Sequence, residues 1–469
     1  MLAAIQISDL HRSAADPVTN AQLLATILTE HDRARASGMP PVGAVIVCGD
    51  IIQGCSIGTA TFDEELRTQY GVALDLLRSL SKELLEGDTS RLVVVPGNHD
   101  VCWNSAWSSM VPASEADTER ARNLLAAPGT PFRWNWETRT LLRIHDEAKY
   151  AGRLGAFRRF FGDLYGKAPP EAINDDAWLY DLGDVTCVAF NSCYRTDCFN
   201  RAAAVNPETI GHVATRLRAT KSRLRLAVWH HNIEGPPSAS DYLDQSCVRQ
   251  LIYHGMRLGL HGHQHYASTA PVYVHTDRDE VMAVVSAASL CAGRRALPPG
   301  RLRGFNLLMI DADSHQATVR SLAMDLEARA QPEYGFNGGS AERVVKWTDS
   351  PTDGTRSTDV RVAVEAGERA YKESQYQEAA TLLSPHFEDL PEYGRALLLD
   401  SLIAAGEHDV LLSRFEGTLR PEEVPRVLAS LHKSKRTADS RRVLDRHEGV
   451  LLPDAVTYYR RLLKVAEGE

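Results

Sequence analysis

The segment LGLHGHQHYAS at residues 258–268 places His261, His263 and His265 on alternate positions directly after an apolar run. Alternate residues of a strand share one face, so the three imidazoles could converge on one point if other ligands arrive from elsewhere in the chain. Taken alone, a His-rich strand end is equally an ordinary loop. Four more apolar runs bear on the choice, because each also ends on residues that ligate metals: Asp9 and His11 (SDLH), Asp50 (CGD), Asn98 and His99 (GNHD), His230 and His231 (WHHN). Each has a structural excuse by itself, since Asp9 could cap a turn, Gly97–Asn98 is a turn dipeptide and His230 could be a satisfied core histidine. Five such strand ends in one stretch of chain share no such excuse. Mixed oxygen and nitrogen donors suit borderline divalent ions such as Mn, Fe or Zn better than Ca or Mg.

The elements that must position these residues are legible over the first 320 residues. The runs AAIQIS, GAVIVCGD, RLVVVPGNHD, VTCVAFNS, LRLAVWHHN, RLGLHGH, EVMAVVSAA and FNLLMIDAD read as buried strands, and NAQLLATILTEHDRARASG and GVALDLLRSLSKELLEG as helices between them. Strands alternating with helices imply an α/β domain, and ligands of such sheets collect at the carboxyl ends of the strands. More than 80 residues separate GNHD from the strand at Val185, too many for a simple connection. This insert, about 101–180, is expected to form a partly helical cap over the site. It carries Trp103, Trp107, Trp134 and Trp136 with Arg139, Arg143, Lys149, Arg153, Arg158 and Arg159. One reading makes it a surface for stacking bases and following phosphates, with Arg158, Arg159 and His231 as candidate substrate contacts. The other makes it a small core of its own with a solvated basic face. Residues 326–360 turn polar and rich in Gly, Pro, Ser, Thr and Asp, as a linker would. From 361 to 469 the pattern is purely helical, so the expected units are 1–325, the linker and an all-α domain.

Composition sets the outer limits. A chain of 469 residues, 43% hydrophobic and 24% charged, is that of a soluble globular protein of two or three domains. A net charge of -9 argues against a uniformly basic coat for nucleic acid, though not against a local basic groove. No apolar run approaches the roughly 18 residues of a membrane span, and MLAAIQISDLH lacks the basic and apolar regions of a leader. A cytoplasmic location away from membranes is therefore expected. The eight cysteines include no CxxC pair, several sit inside apolar runs, and a bond between Cys193 and Cys198 is not expected in a reducing compartment.

The ordered set D-x-H, GD, GNHD, H and GH-x-H resembles the calcineurin-like metallophosphoesterase superfamily over about the first 320 residues. The resemblance implies a four-layer fold, two mixed β-sheets packed face to face with helices outside, and two divalent metal ions. It implies that Asp9, His11 and His265 hold the first ion, that Asn98, His230 and His263 hold the second, and that Asp50 bridges them. His231 stays open as a replacement for His230, and His261 falls outside the motif. Two ions about 3.5–4 Å apart can share a bridging hydroxide and hold a phosphate for in-line attack. His99 is implied as proton donor to the departing alkoxide. Asp100 either orients His99 and its loop or is a turn carboxylate bonded to nearby backbone.

GDIIQGC and GNHD depart from the GDxxDRG and GNHE of the superfamily's Ser/Thr protein phosphatases, which sets that activity aside. GNHD, the NS after the fourth core strand and the HH pair look most like its phosphodiesterase and nuclease branches. The expected function is a metal-dependent phosphodiesterase acting on nucleic acid or nucleotides. The alternatives are a phosphomonoesterase acting on a small metabolite or nucleotide, and a scaffold that works through its helical tail. AGERAYKESQYQEAATLLSP resembles a tetratricopeptide helix pair in the placing of Gly367, Tyr371, Tyr376, Ala379 and Pro385. Stacked helix pairs imply a groove for a protein partner or for self-association.

Overall fold

The apolar runs become strands because β-branched and small side chains fit a pleated surface covered on both faces. In the computed structural model β1 (Leu2–Ile7), β2 (Val42–Val47) and β3 (Leu92–Val94) lie parallel to one another. Parallel neighbours need crossovers, which α1 (Asn20–Ala36) and α2 (Phe62–Leu84) supply. α1 opens on a capping box, with Thr19 Oγ1 accepting from Gln22 N and the Gln22 side chain accepting from Thr19 N. The insert then runs through α3 (Trp103–Trp107), β4 (Met110–Pro112), α4 (Glu115–Leu124), β5 (Phe132–Asn135), β6 (Thr140–Ile144), α5 (Glu147–Ala151) and α6 (Gly155–Tyr165). Next come β7 (Glu171–Asn174), β8 (Ala177–Leu182), β9 (Val185–Phe190), α7 (Pro207–Leu217), β10 (Leu224–Val228), α8 (Gln245–Tyr253), β11 (Leu258–His261), β12 (Ser268–His275) and β13 (Arg278–Ser286). β14 (Arg303–Asp311), β15 (Gln316–Met324), β16 (Ala330–Pro332) and β17 (Glu342–Lys346) complete the strands. The structure describes all residues except 14–15, 17, 125–129, 234–240, 276–277, 294–295, 299–300, 326–327, 334–341, 349–357, 391, 422, 452 and 468–469.

The first sheet has the order β16-β15-β14-β1-β2-β3, with β17 also paired to β15, and the second the order β12-β13-β11-β10-β9-β8-β7. In the second sheet, side chains sort by parity. Cys187, Ala189, Leu226, Val228, Leu258, Leu260, Ala283 and Val285 enter the core shared with the first sheet. Their neighbours Val188, Phe190, Ala227, Trp229, Met282 and Val284 enter a second core with Val213 and Leu217 of α7 and Val248, Leu251 and Ile252 of α8. Helix, sheet, sheet and helix therefore follow one another, as the resemblance implies.

Two expectations need correction. The insert, expected as a partly helical cap, also holds strands: β4, β6 and β5 form an antiparallel sheet of three strands, and β7 and β8 already belong to the second sheet. Within it α6 is no cap, because Phe157, Phe160, Phe161, Leu164 and Tyr165 form one stripe that joins the main core, where Phe160 stacks on Tyr70 of α2. Part of the expected linker is also structure. β16 and β17 both pair with β15, and Trp347 is only 2% exposed. Polar composition hides such strands, because their partner lies in an earlier part of the chain. Much of the remaining expected linker, 334–341 and 349–357, lies outside the described residues.

The helices α9 (Thr358–Lys372), α10 (Tyr376–Leu383), α11 (Glu392–Ala404), α12 (His408–Phe415), α13 (Val424–Lys433), α14 (Thr437–His447) and α15 (Pro453–Glu467) share a separate core that includes Leu383, Leu398, Leu402, Val427, Leu431 and Val443. Gly367 lets α9 approach α10 closely, since a Cβ there would sit 2.8 Å from Leu383 Cγ. Among the described residues no helix is long and apolar enough to cross a membrane, and all eight cysteines are free.

Candidate metal centre

The strand ends do more than stop. Among the described residues eleven non-glycine positions have a left-handed φ, and five of them are Asp9 (50°), His11 (41°), Asp50 (50°), His263 (71°) and His265 (62°). Such conformations are uncommon outside glycine and persist only where the surroundings enforce them. Here the enforcing bonds run between strand ends: Asp9 N donates to Gly49 O at 3.0 Å, His11 N to Asp50 O at 2.9 Å and His263 N to Asp9 Oδ2 at 3.0 Å. Two glycines allow the loops to close on one another. A Cβ at Gly97 would overlap Asp50 Oδ1 and N, and one at Gly262 would overlap Ser8 Oγ.

The side chains gather into two groups. In the first, Asp9, His11, Asp50 and His265 have ligand atoms within 4.8 Å of one another. His265 Nε2 lies 3.2 Å from Asp9 Oδ1 and 3.3 Å from His11 Nε2. In the second, Asn98 Oδ1 lies 3.0 Å from both His230 Nε2 and His263 Nδ1, which are 3.2 Å apart. Asp50 Oδ2 touches both groups, at 3.8 Å from His11 Nε2 and 3.4 Å from His230 Nε2.

This arrangement fits a pair of divalent cations. His265 Nδ1 sits 2.8 Å from Ala296 O and His230 Nδ1 2.8 Å from Cys48 O. A carbonyl only accepts, so each Nδ1 carries a proton and each neutral ring turns the Nε2 lone pair into the cluster. There these lone pairs meet His11 Nε2, Asn98 Oδ1 and His263 Nδ1, while the fully buried Asp9 Oδ1 forms no hydrogen bond. Where the His230 Nε2 lone pair faces the Asn98 oxygen, two acceptors meet and a cation belongs between them. Without a metal, protons take that place. Burial acts to lower the His230 and His265 pKa values, but Asp50 and Asp9 beside them pull each up to about 9. Burial likewise works against ionised Asp9 and Asp50, yet His265 beside Asp9 and His230 and His99 beside Asp50 hold both carboxyls well below the usual range. Burial pushes His11 down to about 4. A bound cation would displace the protons on His230 and His265, so occupancy is coupled to proton release.

The other candidates separate clearly. His99 N donates to Asp50 Oδ1 at 2.8 Å, its Nδ1 donates to Gln53 O at 2.7 Å, and its ring meets the ring of His11 edge to face at 4.6 Å. Asp100 does not reach that ring. Its buried carboxylate accepts from Gly97 N at 2.8 Å, Ile51 N at 3.1 Å and Tyr70 Oη at 2.9 Å, tying the loops after β2 and β3 together. Burial and the nearby Asp50 raise it to about 7 against those three bonds. Grouped with His99 as a catalytic candidate in the sequence, Asp100 is bonded here to nearby backbone and to Tyr70, which is the second of its two readings.

His230 rather than His231 joins Asn98 and His263. His231 is fully buried, with Nδ1 2.9 Å from Ser192 Oγ, which also accepts from His230 N at 3.2 Å. Ser192 belongs to the NS that followed the fourth core strand, and that dipeptide was its one signal in the sequence. His261 stacks on Trp229 and bonds Gly262 O, away from the two groups. β11 ends at His261, so the alternation that suggested a shared face does not extend to His263 and His265. Arg158 and Arg159 are not brought to the cluster: they lie exposed on α6, 3.2 Å from Asp175 and 3.5 Å from Asp63.

Comparison with known proteins bears on the same span. The calcineurin-like phosphoesterase family matches residues 3–267. No curated protein matches by sequence. Among solved structures, a purple acid phosphatase from yellow lupin (Lupinus luteus) seeds is similar at 11% identity and a TM-score of 0.39, over 76% of this chain and 57% of that one. PhoD is similar at 12% identity and 0.38, over 74% and 68%, and GAP50 of Plasmodium at 9% and 0.34, over 75% and 90%. The chain spans little more than half of the lupin enzyme. Because residues 3–267 make up more than half of the 469 in the sequence, the chain belongs to the calcineurin-like phosphoesterase family.

Proposed function

We propose that the chain is a dinuclear-metal-dependent phosphodiesterase acting on nucleotide-type phosphodiesters. The observation that carries this reading is the joining of two donor groups by one carboxylate, Asp50. Asp9, His11 and His265 would hold one cation, and Asn98, His230 and His263 the other, with Mn first and Fe or Zn as alternatives. When bound, the pair supplies Lewis acidity and an acidified water for attack at phosphorus. His99 stands at the rim with Nδ1 donating to Gln53 O, so it is the doubly protonated ring that would hand a proton from Nε2 to the leaving oxygen.

Charge favours a diester over a monoester. Among the described residues no arginine or lysine ion-pairs with Asp9, Asp50 or Asp100, and the ion-pair partners of Asp9 and Asp50 are histidines. With both cations bound, a dianionic monoester would find none of these cationic side chains to balance its second charge, which a monoanionic diester does not carry. Exposed rings support a base-bearing substrate: Trp136 is 84% exposed, and Trp107, 37% exposed, lies 5.4 Å from Phe199. Arg133, Arg143, Arg158 and Arg159 are each paired with a carboxylate, which favours a compact nucleotide over a long nucleic-acid track. Free cysteines support a cytoplasmic location.

With Mn, bis-p-nitrophenyl phosphate should be hydrolysed faster than p-nitrophenyl phosphate, and Asp50→Ala or His263→Ala should abolish both activities. His99→Ala should slow nucleotide diesters more than the activated aryl ester, whose leaving group needs little protonation. Preference for the monoester overturns the diester reading.

A further inference from the structure

The C-terminal helices touch the rest of the chain close to the metal centre, at the segment 241–245. Asp244 caps α8, its Oδ1 accepting from Ser246 N at 2.7 Å, and its Oδ2 lies 3.0 Å from Lys372 Nζ of α9. Lys372 Nζ is also 2.9 Å from Glu368 Oε1, and Glu368 Oε2 is 3.2 Å from Arg249 Nη2 of α8. Two acids and two bases thus alternate across the junction, and Glu368 is only 5% exposed. A charge held out of water depends on its partners far more than a surface pair does, so this network fixes geometry.

The other side of the same segment faces the site. Leu243 is fully buried and donates its N–H to Asn232 O at 2.6 Å, and Gln245 Nε2 donates to Ile233 O at 3.4 Å. The segment therefore lies along the residues that directly follow His230 and His231. At its start, Asp241 Oδ2 is 3.9 Å from His263 Nε2, while the other nitrogen of that ring faces Asn98 and His230. A carboxylate against the far nitrogen of a ligating imidazole orients the ring and raises the basicity of the near one.

We propose that Asp241 is a positioning residue for His263 and that α9, through Lys372 and Glu368, holds it in place, so that the helical unit completes the second metal site. This rests on the dinuclear reading given above. The test uses the full chain, stripped with a chelator and titrated with Mn by calorimetry. Wild type should take up two ions. Asp241→Asn should weaken one of them by about 10–100-fold and leave the other unchanged, with Asp241→Glu restoring part of the loss. Lys372→Ala, at a half-exposed position, should weaken the same ion, and Lys372→Glu should weaken it further. Neither should add to the effect of Asp241→Asn, and circular dichroism should show all variants folded. Two ions bound with wild-type affinities in Lys372→Ala and Lys372→Glu, or an effect that adds fully to Asp241→Asn, overturns the clamp alone. Fewer than two ions in wild type overturns the dinuclear reading and the clamp with it.

Discussion

Replacing Asp100 by alanine should loosen the loops that carry Asp50 and Asn98 far more than replacing it by asparagine. The carboxylate takes three donors in a fully enclosed place: Gly97 N and Ile51 N share Oδ2, and Tyr70 Oη meets Oδ1. Asparagine keeps one oxygen for the two backbone amides, and its NH2 can donate to Tyr70 Oη, which accepts as well as it donates. Alanine leaves two amides and a phenol without a partner. At about 1–3 kcal/mol per buried unsatisfied group, and with a water entering the vacated space to serve one of them, the loss is roughly 2–6 kcal/mol. Hydrogen exchange by mass spectrometry on the metal-free chain reads this directly in peptides containing Ile51 and Gly97. Their exchange should accelerate by about 30-fold or more in Asp100→Ala and by less than about tenfold in Asp100→Asn. Equal exchange in the two variants refutes the claim that Asp100 acts through these three bonds.

Gly97→Ala should abolish Mn uptake while the fold survives, because its methyl would overlap Asp50 and displace the carboxylate that meets both donor groups; normal uptake in a calorimetric titration refutes it. Asp400 in α11 is raised by burial to about 6 despite Arg426 at 3.5 Å. A raised pKa gives stability that is complete below about pH 4 and lost as pH climbs through 6. Stability of the helical unit should accordingly shift in favour of Asp400→Asn by up to about 3 kcal/mol between pH 4 and 7. A difference between the two proteins that stays flat with pH in urea titrations removes this account. Arg158→Ala and Arg159→Ala should leave KM for phosphodiesters unchanged, because each breaks only a surface pair worth under about 1 kcal/mol. A rise in KM of roughly tenfold would return these arginines to the substrate site.

What was legible in the sequence was local. Asp9, His11, Asp50, Asn98, His230, His263 and His265 stood out because each follows an apolar run, and parallel strands deliver their carboxyl ends to one rim. Layering was legible as well, since the period of two in the strands and the longer period in the helices name their buried faces. Sorting among near neighbours was not. His261 and His263 are two residues apart, yet only His263 reaches the donor groups, because β11 stops between them and the chain turns left-handed. His230 and His231 are adjacent, and the choice between them is made by Cys48 O and Ser192 Oγ, 182 and 39 residues away. Asp100 was ambiguous until its partners Ile51 and Tyr70 were in place, and β16 and β17 were invisible until β15 paired with them. Asp241 carried no signal at all. Periodicity and residue type are written along the chain, so sequence alone determined which residues end strands and which chemistry they can do. Which donor meets which acceptor depends on contacts closed across tens to hundreds of residues, and only the tertiary structure decides those.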